Sequence, residues 1–149
     1  MFQQLLRSFT TPLPRPPADL RMAVAILLIE TAYRDDTFQP EERAVIARLL
    51  RQKFALGEDE TAALLAAAED TCRNSVQLHP HTSAVAEQMT AQERIQFVEM
   101  MWEVAYADGV LDPEEDALIR RMVDLIHITD RDRVLARQHV LARREQNKA

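Results

Sequence analysis

The chain has 149 residues, a net charge of -6 and 47% hydrophobic residues, which is typical of one folded domain and excludes an intrinsically disordered chain. Only two residues are glycine, and the abundance of alanine, leucine, glutamate and arginine favours helices over strands. Its apolar runs are too short for a transmembrane helix and no cleavable signal opens it, so we expect a cytoplasmic protein without internal disulfides, since Cys72 is its one cysteine.

The charge is unevenly distributed along the chain. Residues 1–29 carry +2 and residues 129–149 carry +3, so -11 falls on residues 30–128. An acidic centre repels phosphates, which argues against nucleic-acid binding and favours cations or basic protein surfaces as partners. We interpret the basic C-terminal segment as a solvated helix face.

The predicted elements begin after an N-terminal arm. Residues 1–18 hold four of the seven prolines, which remove amide donors and favour extended backbone, so the folded domain is assigned to residues 19–149. Asp19 is predicted to cap a first helix that runs to about Tyr33.

Six further helices are predicted in chain order: 40–54, 58–73, a short helix after a bend within 74–88, 90–107, 113–127 and 129–143. Pro40 and Pro113 fit the first positions of their helices, and Gly57 is predicted to end the second helix. Thr90 and Glu93 form a capping box. Seven helices with short loops predict an all-α fold, a single antiparallel helical bundle.

The chain repeats part of itself. Residues 30–46 reappear 73 residues later as residues 103–119, with nine identities at seventeen positions. Each copy contains a helix end, an acidic turn and a helix start, so the bundle is predicted to contain two helix–acidic turn–helix units. A pair of helices cannot bury its apolar face alone, and we expect the two copies to pack on each other.

The acidic turns have two interpretations, and the first is helix capping alone. Asp108 and Gly109 form a tight turn, and Asp112 caps the helix that Pro113 begins. Glu115 then complements the dipole of that helix from its first turn. Under this interpretation every acid stabilises local structure.

The second interpretation is a weak metal site. The run DGVLDPEE at residues 108–115 matches the second half of a calcium-binding loop. The first and third ligand positions of such a loop fall on Val104 and Tyr106, which carry no carboxylate, so a full calcium site is excluded. What remains is a weak site for calcium or magnesium, with oxygen donors from Asp108, Asp112 and Glu115. Water or acids of the other copy would complete its coordination.

Glu30 and Glu103 lie one helical turn before the acidic turns. We expect their carboxylates to accept hydrogen bonds from the amides that begin the next helix. A hydrolase that used them as an acid pair would need both in one cleft, and no histidine, nucleophile or phosphate loop accompanies them. His79, His81 and Cys72 lack the spacing of a zinc site. The sequence therefore predicts no catalytic residue and no enzyme.

The run AYADGVLDPEE at residues 105–115, followed by Leu118 to Met122, resembles the TerB family, and the resemblance extends over about residues 20–140. Members are named for tellurite resistance, and similar domains form the N-terminal part of a membrane-associated DnaJ-type co-chaperone. The resemblance implies about seven helices, no established catalysis, and acids proposed to bind metal. Those acids fall on Glu30, Asp35, Glu42, Glu103, Asp108 and Glu115. Asp36 stands where the second copy has Gly109, so equal metal binding by the two turns is not expected.

The leading hypothesis is a non-enzymatic TerB-like domain in tellurite resistance or a stress response. It would act through a protein partner or through a weakly bound divalent cation, calcium or magnesium. The alternative is a protein–protein interaction module whose acidic turns only cap helices. The sequence assigns neither the partner nor the oligomeric state.

Overall fold

The computed structural model describes residues 18–33, 39–74 and 78–148, and these residues contain helices without strands. The helices are α1 Ala18–Ala32, α2 Pro40–Phe54, α3 Glu58–Arg73, α4 Leu78–Gln88, α5 Ala91–Ala105, α6 Pro113–Leu125 and α7 Asp130–Lys148. The predicted all-α bundle of about seven helices is confirmed. Within the described ranges, no helix is both long enough and apolar enough to cross a bilayer. Most of the predicted N-terminal arm, and Asp35 with its turn, lie outside these residues.

The first helix forms the centre of the bundle. Residues 23–29 of α1 are buried without interruption, and α1 contacts each of the helices α2 to α6. A helix that is apolar around its whole circumference is a core helix rather than an amphipathic one. Val24, Leu27 and Leu28 are among these buried residues, so the buried surface of α1 covers more than one of its faces.

The last helix packs mainly on α5. Trp102 of α5 is fully buried, and its Nε1–H donates to the carbonyl oxygen of Arg133 at 3.2 Å. The Arg137 guanidinium lies 5.6 Å from the centre of the Trp102 ring and donates to the Tyr106 hydroxyl at 2.7 Å. Because the tryptophan nitrogen and the tyrosine hydroxyl both have partners, these side chains are core residues with their polar atoms satisfied.

Local sequence signals place most helix starts correctly. Pro40 and Pro113 are the first residues of α2 and α6, where a missing amide hydrogen has no cost. In the predicted capping box, the Thr90 amide donates to Glu93 Oε1 at 3.0 Å and the Glu93 amide donates to Thr90 Oγ1 at 3.2 Å. Thr129 Oγ1 accepts from the Asp132 amide at 3.1 Å and so caps α7.

Several predicted boundaries are wrong. Asp19 is not an N-cap, because α1 already includes Ala18. Gly57 does not end α2: Ala55 takes the left-handed conformation there, with φ 52°, and Gly57 instead caps α3. The short helix predicted within residues 74–88 is α4, and Pro80 lies in its first turn, where it lacks no helical hydrogen bond. Finally, α7 continues past Arg143 to Lys148.

Candidate functional site

The turn between α5 and α6 is held by its own acids. The Asp108 carboxylate accepts from the Val110 amide at 3.1 Å, and the Asp112 carboxylate accepts from the Glu114 amide at 2.8 Å. Gly109 has φ 86° and its amide donates to the Tyr106 carbonyl at 2.8 Å. A positive φ suits glycine, and the side-chain bonds satisfy amides that a turn and a helix start leave free. The predicted capping role of Asp112 is confirmed.

Two glutamates in the helix starts are buried. Glu42 and Glu115 occupy equivalent positions of the two sequence copies, and each is only 2% exposed. Glu42 Oε1 accepts from the Gln39 amide at 3.1 Å. Both lie in the first turn of a helix, where the positive end of the helix dipole favours a carboxylate. The sequence predicted this dipole interaction for Glu115 but not the burial of either side chain.

Glu103 is held by arginines from two other helices. Its Oε2 accepts from Arg48 of α2 at 3.1 Å and its Oε1 accepts from Arg143 of α7 at 2.8 Å. Arg143 also donates to Glu99 at 2.6 Å. The prediction that Glu103 accepts from amides of the next helix start is wrong, because these arginines occupy both of its oxygens.

Glu30 has a different environment from Glu103. Burial raises the pKa of Glu30, while a hydrogen bond with Cys72 and the charge of Arg121 oppose that rise. Burial and the neighbouring Glu30 charge raise the pKa of Cys72 to about 12. A thiol with so high a pKa is not a nucleophile at neutral pH, so Cys72 is an inert buried cysteine.

The two glutamates face arginines from opposite copies. Arg48 and Arg121 are separated by the same 73 residues as Glu30 and Glu103. Arg48 of the first copy bonds Glu103 of the second, and Arg121 of the second copy acts through its charge on Glu30 of the first. The two acidic units therefore interact in both directions, through a hydrogen bond in one direction and through charge in the other.

Each of these glutamates lines its own cleft. The α1–α6 cleft has a volume of about 490 Å³ and is lined by Glu30, Thr31, Tyr33, Glu114, Glu115, Ala117, Leu118 and Arg121. The α2–α5–α7 cleft is smaller, about 240 Å³, and is lined by Val45, Arg48, Glu103, Val140, Arg143, Arg144 and Asn147. Glu30 and Glu103 thus do not share a cleft, as an acid pair for hydrolysis would require.

Comparison with known proteins identifies the family. The family model of the tellurite resistance protein TerB matches residues 21–138. The chain belongs to the TerB family. The match runs from α1 into α7 and includes both acidic turns. No curated protein and no solved structure gave a significant match.

The acids predicted to bind metal in this TerB domain are placed in different surroundings. Among the residues that the structure describes, no three side chains of His, Cys, Asp or Glu are grouped so that they could hold a metal ion. Glu42, Asp108 and Asp112 accept backbone hydrogen bonds, and Glu103 binds arginines. Asp35 lies outside the described residues, so the metal site of the first turn stays a prediction.

Sequence reasoning missed the arginines of this TerB domain. Arg48 and Arg121 lie just beyond the compared segments, and they continue the same 73-residue correspondence. Extending the comparison by two residues would have found them. Arg143 has no such signal, because its partners Glu99 and Glu103 lie on another helix and only the packing of α7 on α5 brings them together.

Proposed function

We propose that this TerB domain is non-catalytic and acts in tellurite resistance or a broader stress response by binding a protein partner. A basic side chain of that partner enters the α1–α6 cleft beside Glu30. The chain contains a precedent for this contact, since Arg143 of α7 binds Glu103, the counterpart of Glu30. Arg143 has no counterpart in the α1–α6 cleft, because among the described residues that line this cleft none belongs to α7 and the one basic side chain is Arg121. This difference between the two clefts carries the proposal.

The charge of the α1–α6 cleft supports a cationic occupant. Its lining includes three glutamates and one arginine. Glu30 is partly buried, and this burial raises its pKa, so an incoming guanidinium or ammonium group would stabilise its charged form. A cleft of about 490 Å³ lies in the size range of ordinary ligand sites and admits one long basic side chain.

The geometry of the turns favours the capping interpretation over the metal interpretation. A cation bound by Asp108 and Asp112 would compete with the amides of Val110 and Glu114 for the same carboxylate oxygens. The divalent cation remains a second candidate only with a donor outside the described residues, such as Asp35, because the glutamates that line the α1–α6 cleft are not grouped to hold a metal ion by themselves and calcium and magnesium prefer oxygen donors.

Titration separates the two candidates. The ¹⁵N-labelled chain is titrated with a short arginine-containing peptide and, separately, with calcium, magnesium and manganese. We expect the peptide to shift the amide signals of Thr31, Ala117 and Leu118, with weaker binding at high salt. Glu30→Gln should weaken this binding, whereas the control Glu87→Gln, on an exposed position of α4, should not.

The opposite result favours the cation. If the peptide shifts no cleft signal, binding of a basic side chain is excluded. A cation that raises the thermal midpoint at millimolar concentration binds the native state. If Glu30→Gln and Glu114→Gln remove that rise, the α1–α6 cleft is a metal site and the partner proposal is replaced. Growth on tellurite of cells lacking the gene, complemented by wild type or by Glu30→Gln, tests the cellular role.

A further inference from the structure

The outer face of α7 carries an exposed apolar stripe. Val134, Leu135 and Leu141 are 41%, 39% and 36% exposed, and they are three of the five large hydrophobic side chains exposed among the described residues. With the exposed Ala142 they occupy positions i, i+1, i+7 and i+8, which share one helix face. Ala136 and Val140 on the opposite face are buried, so the stripe points away from the bundle.

We propose that this stripe binds the same stripe of a second copy of the chain, with the two α7 helices antiparallel. Gln138, also exposed, lies at the middle of the stripe. When a two-fold axis passes beside Gln138, residues at equal distances on either side of it come to the same level on the two helices. Leu135 then meets the level of Leu141, and Val134 that of Ala142.

The charges that flank the stripe match the same axis. Arg131 lies seven residues before Gln138 and Glu145 seven residues after it, and both are exposed. In the antiparallel pair, Arg131 of each chain lies at the same level as Glu145 of the other chain. The dimer therefore contains two such pairs of opposite charge. In a parallel pair Arg131 would face Arg131, and Glu145 would face Glu145. Opposite charges therefore favour the antiparallel arrangement, and like charges disfavour the parallel one.

A second copy fits this surface better than an unrelated partner does. The apolar residues and the charges are both symmetric about one residue, which is the property that a two-fold interface between identical chains requires. The inference does not depend on the proposed function, because the residues lining the α1–α6 cleft belong to no part of α7. Dimer formation leaves that cleft open to a partner.

The dimer should be weak. One helix face covers less area than the roughly 800 Å² per partner of a standard interface, so we expect a dissociation constant of about 10 to 100 µM. Sedimentation equilibrium of the full chain from about 1 µM to about 1 mM spans this range. Wild type should convert from monomer to dimer as the concentration rises.

Charge reversal tests the arrangement. Arg131→Glu places two acids opposite each other, and Glu145→Arg places two arginines together, so each variant alone should dimerise roughly tenfold more weakly or worse. A mixture of the two variants restores opposite charges at both contacts and should form a heterodimer with about the wild-type affinity. The double variant Arg131→Glu/Glu145→Arg also has opposite charges at both contacts and should form a homodimer with about the wild-type affinity. Glu87→Arg on α4 is the control and should leave dimerisation unchanged.

A disulfide trap gives an independent measurement should the charge variants fold poorly. Gln138→Cys places a thiol beside the axis in both copies, and the native Cys72 is buried. Mild oxidation should link Gln138→Cys chains at low concentration but not Gln92→Cys chains, whose cysteine lies at the exposed start of α5. A wild type that stays monomeric to about 1 mM, a mixture that stays monomeric, or equal linking of the two cysteine variants would each overturn the proposal.

Discussion

Arg48 and Glu103 are 3.1 Å apart although 55 residues separate them in the chain. The contact joins α2 of the first acidic unit to α5 of the second. In the reverse direction, Arg121 of the second unit acts through its charge on Glu30 of the first, and both line the α1–α6 cleft. Glu103 lies in an ionic cluster, in which Arg143 also binds it. Glu30 lies in the α1–α6 cleft instead.

Removing the charge of Glu103 should destabilise the fold. Glu103→Gln weakens the bonds to Arg48 and Arg143, whose guanidinium groups are themselves partly exposed. Exposed pairs contribute little individually, but this glutamate has two partners, so we expect a loss of about 1 kcal/mol in the free energy of unfolding. Urea denaturation measures it. An unchanged midpoint would mean that the cluster contributes nothing to stability.

The equivalent change at Glu30, Glu30→Gln, should increase the free energy of unfolding at neutral pH rather than decrease it. The pKa of Glu30 in the folded chain is raised by burial above the ordinary value of a glutamate, so the folded state binds its proton more tightly than the unfolded state does. The contribution of Glu30 to stability is therefore present at pH values below the ordinary glutamate pKa and is lost as the pH rises through the raised pKa. Glu30→Gln should be as stable as wild type near pH 4 and more stable near pH 7.

Urea denaturation at a series of pH values measures this difference. The difference between Glu30→Gln and wild type should grow as the pH rises. Glu99→Gln serves as the control, because Glu99 lies in the ionic cluster of Arg143 and its removal should destabilise the chain near pH 7. A Glu30→Gln variant that is less stable than wild type at every pH would contradict the prediction.

Asp112 should contribute as an N-cap. Asp112→Ala removes the acceptor of the Glu114 amide, and loss of such a cap costs about 1 kcal/mol, which corresponds to a fall of about 3 °C in the thermal midpoint for a chain of this size. Asp112→Asn keeps a capping oxygen and should recover most of the loss. Equal losses for the two variants would point to the charge of Asp112 rather than to its capping bond.

Gly109 should be sensitive to substitution for a backbone reason alone. Its φ of 86° is a conformation that side chains disfavour, yet a Cβ atom there would meet nothing within 4 Å. Gly109→Ala should therefore cost about 1 kcal/mol through strain and not through a clash. Gly57→Ala is the control, since φ is -76° at that position, and it should cost less. Thermal unfolding compares the two.

The features that sequence predicted correctly are local ones. The Asp112 cap, the Thr90 box and the proline starts of α2 and α6 depend on residues within one helical turn, and a sequence pattern shows all of them. The errors concern long-range packing. Nothing near Glu103 in sequence indicates that its oxygens bind Arg143 rather than nearby amides. The sequence of α1 likewise does not indicate that five helices surround it.

The candidate site shows the same division. The sequence identified the acids of both turns but not the burial of Glu42 and Glu115, because burial depends on which helices cover a helix start. It also grouped Glu30 with Glu103 as equivalent positions. The structure separates them through α7, whose Arg143 binds only the second.

The central position of α1 has a consequence during synthesis. This helix precedes its five neighbours in the chain. Its apolar side chains therefore remain partly exposed to solvent until α4, α5 and α6 have left the ribosome. The nascent polypeptide therefore exposes an apolar segment while these helices are being synthesised, a stage at which aggregation competes with folding. A truncated chain that ends after α3 should aggregate or bind a chaperone, whereas a chain that extends through α7 buries this segment.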